Sequence, residues 1–534
     1  MNLTPLRRRH RRCGNQRGRT RRLLAGVVAV ALTTAACGGG ADQPVAEPGS
    51  AAANEPQAVT DVLATRTGTG IASAGGDLSA FSPDQCSVAR AVRIAYLGPD
   101  LGEFEEVGLG SLVIEDPWRG ISAYLTEVNA NGGIHGRCVQ VSVHQWSWTD
   151  PESSFDKVCR AVPVVEPIVV INLFGDARGV ECLAVEAELP MLGLYASVPA
   201  SLQRRSRGRL FLDDGTAGYL LANSIEVARR SAIFAEGDKT GLLYGPPVGA
   251  PPSWQDNIGR DFDQVEMVTG SSLFIPGTIT HVPRKFGQLD LLGAEDRVRL
   301  LESDLTTAEQ AAAANELSGL SASERSVLGE IEQFYLDAAV EHRDSGVVAV
   351  FATAPWFELR RMMRAAERIG WRPRWIASDI QGATLTLTGA PPAQADNFFL
   401  VSARRAAGDP QTELDRGCVG LRNAAPDEES FEHRHHTDAW SVLVATCDSL
   451  DVTLSALSRI SGPPSTEAFV TQLAATSYEA GFGGRLGFGP DDFSGADRFR
   501  VLQADPGCVL DEWGCMRAVT DWLEPSADVP REDG

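Results

Sequence analysis

From residue 91 onward, short apolar runs alternate with amphipathic stretches of helical length. No other feature constrains the fold as much. Val92-Arg93-Ile94-Ala95-Tyr96-Leu97, residues 139–143, Ile168-Val169-Val170-Ile171-Asn172-Leu173 and Met191-Leu192-Gly193-Leu194-Tyr195 read as strands, with helices between them at about 118–128, 152–162 and 178–187. Strands that alternate with helices pair in parallel, and the crossover helices cover both faces of the sheet. A second set follows residue 209. It has a helix over 220–235, strands at 240–245, 265–268, 347–352 and 374–378, and a helix over 357–369. After a strand at 397–401 come a long helix over 436–460, another near 466–475, and short late strands at 484–488 and 499–502. Residues 274–329 read as an insertion in the second set, a peripheral helical flap or partner surface, with its Ala- and Glu-rich run 304–317 helical.

At 534 residues the chain is long enough for two sizeable cores, and its 43% apolar and 22% charged content suits a globular protein. The formal net charge is −22; removing the nine arginines of residues 1–36, a segment with no acidic residue, takes it to −31. So acidic a chain argues against nucleic acid as a partner, because phosphate neutralisation needs clustered Lys and Arg. Residues 1–36 read as an export signal: arginines from Arg7 to Arg22, then a 14-residue apolar run over 23–36, too short to span a bilayer. The run ends in Thr34-Ala35-Ala36-Cys37, which looks like a bacterial lipobox with Thr34 where Leu is usual. Cys37 would then carry the lipid and hold the protein to the outer face of the cell membrane. An ordinary secretory signal or a membrane anchor is the alternative. Residues 37–85, rich in Ala, Gly, Pro, Ser and Asp, read as a disordered tether.

One stretch gives the alternation a family likeness. In Glu127-Val128-Asn129-Ala130-Asn131-Gly132-Gly133-Ile134-His135-Gly136-Arg137, two glycines after Asn131 suit a helix C-terminus. It follows Leu97-Gly98-Pro99 and precedes Asp150-Pro151, Gly175, Tyr195-Ala196-Ser197-Val198-Pro199 and Tyr244-Gly245. Later come Thr437-Asp438-Ala439-Trp440 and Phe482-Gly483-Gly484-Arg485-Leu486-Gly487-Phe488. In this order and spacing, over about residues 90–520, the chain resembles type I periplasmic solute-binding proteins of the branched-chain amino-acid-binding family.

The resemblance implies an α/β protein of two doubly wound parallel-sheet lobes joined by three crossovers, near 205, 400 and 485. Residues 86–205 with 400–485 would form the first lobe and 206–399 with 486–534 the second. Ligand would lie between the lobes, against loops 98–117, 145–150, 174–179, 195–198, 244–254, 354–357 and 379–382. Ser197 fits one family clamp position for an amino-acid carboxylate. At the other the chain reads Gly175-Asp176-Ala177-Arg178-Gly179, where Arg178 is a candidate anion partner or a solvated helix-start arginine. Asp379 or Gln381 occupies the region that takes the ammonium group, with a loop cap as the alternative. Gln145-Trp146-Ser147-Trp148 replaces the expected acidic pair, so Trp146 and Trp148 either stack on a ligand or seal the core. Tyr195, Tyr244 and Trp356 are further aromatic wall candidates.

Without Cys13 and Cys37 the chain keeps eight cysteines, an even number that suggests four disulfides in an exported protein. Sequence alone allows 105 pairings; Cys86 and Cys138 could meet at a sheet edge, the family often bridges the helices that carry Cys159 and Cys182, and Cys418 with Cys447 and Cys508 with Cys515 follow as sequence neighbours, with the actual pairing left open. His433, His435 and His436 invite a zinc reading, but no third ligand of suitable spacing accompanies them and a solvated helix start is preferred. No nucleophile elbow, Walker loop or zincin motif occurs. The expectation is therefore a monomeric receptor without metal or cofactor, not an enzyme, that delivers a small solute to ABC-transporter permease subunits. A sensor of the same fold that signals to a membrane partner is the alternative.

Overall fold

The structure, a computed structural model, describes residues 86–100, 103, 118–147, 150–173, 177–194, 198–235, 237–245, 274–282, 322–379, 386–387, 390–406, 409, 412–423, 437–475, 477–479, 485–489, 492–505 and 515–525. All belong to one unit, Glu55–Gly534. The export signal, Cys37, the tether, the 265–268 strand, the 304–317 helix and the three histidines lie outside the described residues. No helix among the described residues is long and apolar enough to cross a membrane.

Two sheets organise the chain. The first has five parallel strands in the order β2-β1-β3-β4-β5: β1 (Ser87–Pro99), β2 (Arg137–Trp146), β3 (Val169–Leu173), β4 (Met191–Leu194) and β5 (Leu210–Leu212). Alternation along each strand assigns two cores. Val92, Ile94, Tyr96, Val169, Ile171, Leu192 and Phe211 face α1 (Trp118–Ala130), α10 (Thr437–Ser458) and α11 (Thr466–Leu473). Ala95, Leu97, Val170, Met191 and Leu212 face α2 (Pro151–Ala161), a helix that starts as α3 (Ala177–Gly179) and continues as a π-helix over Val180–Glu186, and α4 (Ala200–Arg205). This period-two division is what a sheet covered on both faces requires.

The second sheet runs β14-β13-β10-β9-β8-β6-β7: β6 (Thr240–Tyr244), β7 (Phe274–His281), β8 (Ala349–Ala352), β9 (Arg374–Ser378), β10 (Phe398–Ser402), β13 (Arg500–Asp505) and β14 (Cys515–Ala518). β6 to β10 are parallel and the last two strands are antiparallel. Leu243, Val350, Trp375, Leu400 and Leu502 pack with α6 (Ala322–Asp344) and α7 (Trp356–Arg368). Leu242, Phe351, Ile376 and Val501 pack with α5 (Ala217–Arg230) on the other face. A β-ribbon of β11 (Ser477–Glu479) and β12 (Arg485–Gly487) follows α11, and Leu486, Phe488 and Phe493 return to the first lobe's core. Short α8 (Pro392–Ala395) and α9 (Glu413–Asn423) complete the described helices.

The Gly132-Gly133 turn does more than stop α1. Gly132 and Gly133 have φ of 94° and 62°, and the Gly133 N–H donates to the Val128 carbonyl at 3.0 Å. A Cβ on Gly133 would lie 2.0 Å from the Arg137 carbonyl oxygen, so only glycine fits. Ile134 and Arg137 then exchange both backbone hydrogen bonds around His135 and Gly136, which reverses the chain into β2. The buried Asn129 side chain pairs with both backbone groups of Val139, at 3.0 and 2.8 Å. β2 is an edge strand, and Asn129 stands in for the neighbour it lacks.

Several elements depart from the sequence expectation. β5 belongs to the first sheet, so the chain crosses after Leu212 and not near 205. The second crossover follows β10 at Ser402. The third follows Phe493, which still packs in the first lobe. Residues 274–281, read as inserted material, form the edge strand β7; Pro276 and Gly277 break the strand signature, and proline is tolerated at an edge. α6 was not anticipated, although Ile331, Tyr335, Ala338 and Ala339 recur at helical spacing on its buried side. The expected bridges Cys86–Cys138 and Cys159–Cys182 are both formed. Cys447 is disulfide-bonded as well; Cys508 and the side chains of Cys418 and Cys515 lie outside the described residues.

Two substitutions test this account. Asn129→Ala strands two buried backbone groups of Val139 and is expected to lower unfolding free energy by about 2–4 kcal/mol in urea titration. A loss below about 0.5 kcal/mol would mean that water replaces the side chain. Removing Cys86–Cys138, which closes a separation of 52 residues, is expected to cost up to about 4 kcal/mol under non-reducing conditions.

Candidate functional site

In open α/β sheets, ligands bind beyond the strands' C-terminal ends, where strand order reverses. The first sheet reverses between β1 and β3, which places the mouth at Pro99–Asp100 and past Leu173. The second reverses between β6 and β8, at Tyr244–Gly245 and 353–356. The two mouths lie on the sheet edges that the crossovers join. β5 and β10 both run into crossovers from their C-terminal ends, and those ends meet through buried ion pairs.

At that junction the Arg404 guanidinium donates from Nε to Asp214 Oδ1 at 3.0 Å and from Nη2 to Asp213 Oδ2 at 2.7 Å; Nη2 also bonds Asp214 Oδ2. The Arg404, Asp213 and Asp214 side chains are only 3, 8 and 4% exposed. The third crossover lies alongside. Leu212 N–H donates to the Phe493 carbonyl at 2.9 Å and Gly495 N–H to the Leu212 carbonyl at 2.7 Å. A Cβ on Gly495 would sit 2.9 Å from the Asp213 carbonyl oxygen, so this approach requires glycine. Tyr219 Oη donates to the Ala496 carbonyl at 3.1 Å. Arg500 of β13 donates to the Arg404 carbonyl at 3.3 Å and pairs with Asp409.

Of the sequence-predicted site residues, Trp148, Tyr195, Ser197 and Gln381 lie outside the described residues. Trp146 ends β2 but is buried, stacked on Phe155 with ring centroids 5.0 Å apart, in the core beneath the mouth. Arg178 stands on α3, just past the end of β3, partly exposed and 3.4 Å from Asp156 of α2. Tyr244 caps β6, half-buried, and burial raises its phenol above the ordinary range. Trp356 opens α7 beyond the end of β8, with the Arg360 guanidinium 4.8 Å from its ring centroid. Pro355 is the N-cap of α7 and supplies no side-chain cap; its carbonyl accepts from the Glu358 N–H at 2.9 Å, and Glu358 places an acidic residue in the first turn. Tyr244 and Trp356 therefore flank one mouth, while Arg178 sits at the other.

Asp379 follows β9, and its carboxylate is engaged. Ser402 Oγ donates to it at 2.7 Å and Ala403 N–H at 2.7 Å, which ties β9 to the second crossover. Burial, with the Asp214 charge, raises its carboxyl to about 7 despite Arg404 and these hydrogen bonds. Burial also pushes Asp213 well above the carboxylate range and Asp214 upward, against the pull of Arg404. Sequence reasoning did not single out Asp213, Asp214, Ser402 or Arg404. The run Asp213-Asp214-Gly215-Thr216 after an apolar triplet was the available signal, but in sequence it is indistinguishable from a solvated turn ahead of a capped helix.

No family model and no curated protein matches the sequence. Solved structures do match. The chain is similar to a branched chain amino acid ABC transporter from Thermus thermophilus with bound valine, at 15% identity and a TM-score of 0.53, over 82% of this chain and 97% of that one. It is similar to a fatty acid ABC transporter substrate-binding protein from Thermomonospora curvata, at 13% identity and a TM-score of 0.52, over 85% and 100% of the two chains. A solute binding protein of an ABC transporter from Rhodopseudomonas palustris BisB5, in complex with 3,4-dihydroxy benzoic acid, matches at 12% identity and a TM-score of 0.52, over 82% and 99%. At these identities the likeness is one of fold. The chain has the two-lobed, parallel-sheet fold of type I periplasmic binding proteins, with three crossovers.

Proposed function

We propose that this chain is a lipid-anchored extracytoplasmic solute-binding protein that captures a small polar solute between its lobes for an ABC importer. The observation that carries this reading is the pair of topological switch points on the sheet edges that the crossovers join, the geometry of a cleft that closes about a hinge. The fold neighbours support a receptor rather than an enzyme. The valine and 3,4-dihydroxybenzoic acid of two neighbours, and the fatty acid in the name of the third, share a carboxylate. A carboxylate suits the Arg178 guanidinium past β3. We therefore favour an amino acid or another small carboxylic acid, with Tyr244 and Trp356 as aromatic walls.

Cys37, following small residues and an arginine-rich segment, is proposed as the acylation site. Labelled palmitate should enter the full-length protein and fail to enter Cys37→Ser.

Thermal-shift titration against amino acids, amides, fatty acids and hydroxybenzoates tests the solute. A bound ligand at 100 times its Kd stabilises the fold by about 2.7 kcal/mol and raises Tm accordingly. Trp356→Ala is expected to weaken binding of the best solute by about tenfold or more. A flat panel combined with turnover of any member would remove the receptor reading.

A further inference from the structure

Each lobe has a base opposite its mouth, made of the strands' N-terminal ends and the helix C-termini that lead into them. At the base of the second lobe, Arg343, Arg372 and Arg374 face acids: Asp344 at 2.8 Å, Glu367 at 2.7 Å and Asp238 at 3.4 Å. At the base of the first lobe, Arg93, Arg205 and Arg209 are likewise paired, with Glu166, Glu181 and Glu188. Five more arginines there have no acidic partner among the described residues: Arg90 and Arg137 on β1 and β2, Arg160 at the end of α2, and Arg204 and Arg207 at the end of α4. All but the half-buried Arg137 are exposed. A helix C-terminus favours a cation, which accounts for Arg160 and Arg204 but not for Arg90 or Arg137, which lie on strands.

Val164 lies among these arginines. It sits in the 3-10 turn Pro163–Val165 between α2 and β3, and at 78% it is the most exposed large apolar side chain among the described residues. Arg93 donates to the Val165 carbonyl at 3.4 Å, which ties this turn to β1. Arg207 stands on a turn that is also fixed. The buried Ser206 hydroxyl donates to the Gln203 carbonyl at 2.6 Å and accepts from the Leu210 N–H at 3.2 Å. Groups held on fixed turns lose little backbone freedom when the surface docks.

We propose that the base of the first lobe is a docking surface for an anionic phospholipid bilayer, with the unpaired guanidinium groups on headgroup phosphates and Val164 pressed among the headgroups. Two observations choose this occupant. The chain enters the lobe here: Ser87, next to the bridged Cys86, opens β1 at the base, and its N–H donates to the Gly136 carbonyl at 2.9 Å. Residues 37–85 lead to this point from Cys37, so an anchored chain holds the base near the bilayer, where even a weak contact is populated. Charge is the second observation. A chain of net charge −22 is repelled by an anionic surface, which leaves the approach to a face whose cations are unpaired. Docked in this way, the first lobe stands on its base and its mouth faces away from the bilayer, open to solute. That consequence rests on the lipid-anchored receptor reading above; the affinity of the base for an anionic bilayer does not.

The test labels the arginines of the full chain with an arginine-selective dicarbonyl reagent on vesicles and reads each site by peptide mass spectrometry. On vesicles of phosphatidylglycerol with phosphatidylcholine, labelling of Arg160, Arg204 and Arg207 is expected to be about fivefold slower than on phosphatidylcholine alone, and about 0.5 M salt is expected to abolish the difference. Arg343, at the opposite pole, is expected to label alike on both. The double variant Arg204→Glu, Arg207→Glu is expected to restore fast labelling of Arg160 on the anionic vesicles. Arg160→Glu, on a different helix, makes the same test with Arg204 as the reporter. Equal labelling on the two vesicles, slowing on phosphatidylcholine alone, or slowing that both variants retain would overturn the proposal; the first result would assign the patch to an acidic face of a protein partner. Because each arginine is read separately, a failed palmitate label or a flat solute panel leaves the docking surface standing, and failed docking leaves the receptor reading standing.

Discussion

The architecture depends on Arg404 reaching across to Asp213 and Asp214. A cleft between two sheets exists only if their C-terminal edges are brought together, and here that is done where β5 and β10 hand the chain from lobe to lobe. The ion pairs are almost wholly buried. A buried ion pair adds little net stability, because desolvation offsets most of the attraction, yet breaking one leaves an uncompensated charge. Such a pair specifies an arrangement more than it stabilises one. Gly495 supports the same junction by steric means, since any side chain there would strike the Asp213 carbonyl and push the third crossover away from the first.

Away from the junction, each lobe is a self-sufficient piece of packing. Successive strand residues alternate between two helical layers, so neither sheet needs the other to bury its faces. Core α10 shows how far burial goes: Thr446 and Ser449 satisfy their hydroxyls on carbonyls one turn back, and Asp451 accepts from Tyr124 Oη at 2.9 Å. These buried polar groups are settled within the first lobe. Between the lobes, the crossovers carry the buried ion pairs of Arg404 with Asp213 and Asp214, which makes them the place to look for control.

The lobes were largely legible in the sequence because parallel strands buried on both faces are written as apolar runs between amphipathic helices. The glycine pair and Asn129 were legible as a helix stop, but the pairing of Asn129 with Val139 was not, because a side chain that completes an edge strand leaves no periodic trace. β7 was hidden by Pro276 and Gly277, and β5 by its three-residue length. The site was less legible than the fold. Aromatic residues at strand ends, Tyr244 and Trp356, stood out, whereas Trp146 ends a strand equally well and is buried against Phe155. Asp379 stood out as a carboxylate at a strand end, but its partners Ser402 and Ala403 come from the next strand's exit, a juxtaposition that only the folded sheet creates.

The chain's negative charge sharpens what the cleft must do. A net charge of −22 disfavours the approach of an anionic solute at long range. At physiological ionic strength the Debye length is about 8 Å, so this repulsion is screened beyond the protein's immediate surface. The cations near the strand ends are local: Arg360 lies buried over Trp356, and Arg178 past β3 is paired with Asp156. Fixed donors of this kind need no rearrangement on binding, and they discriminate by geometry where a general positive potential would discriminate only by charge. On the proposed reading, selectivity for a carboxylate would be set by such local donors rather than by the field around the protein.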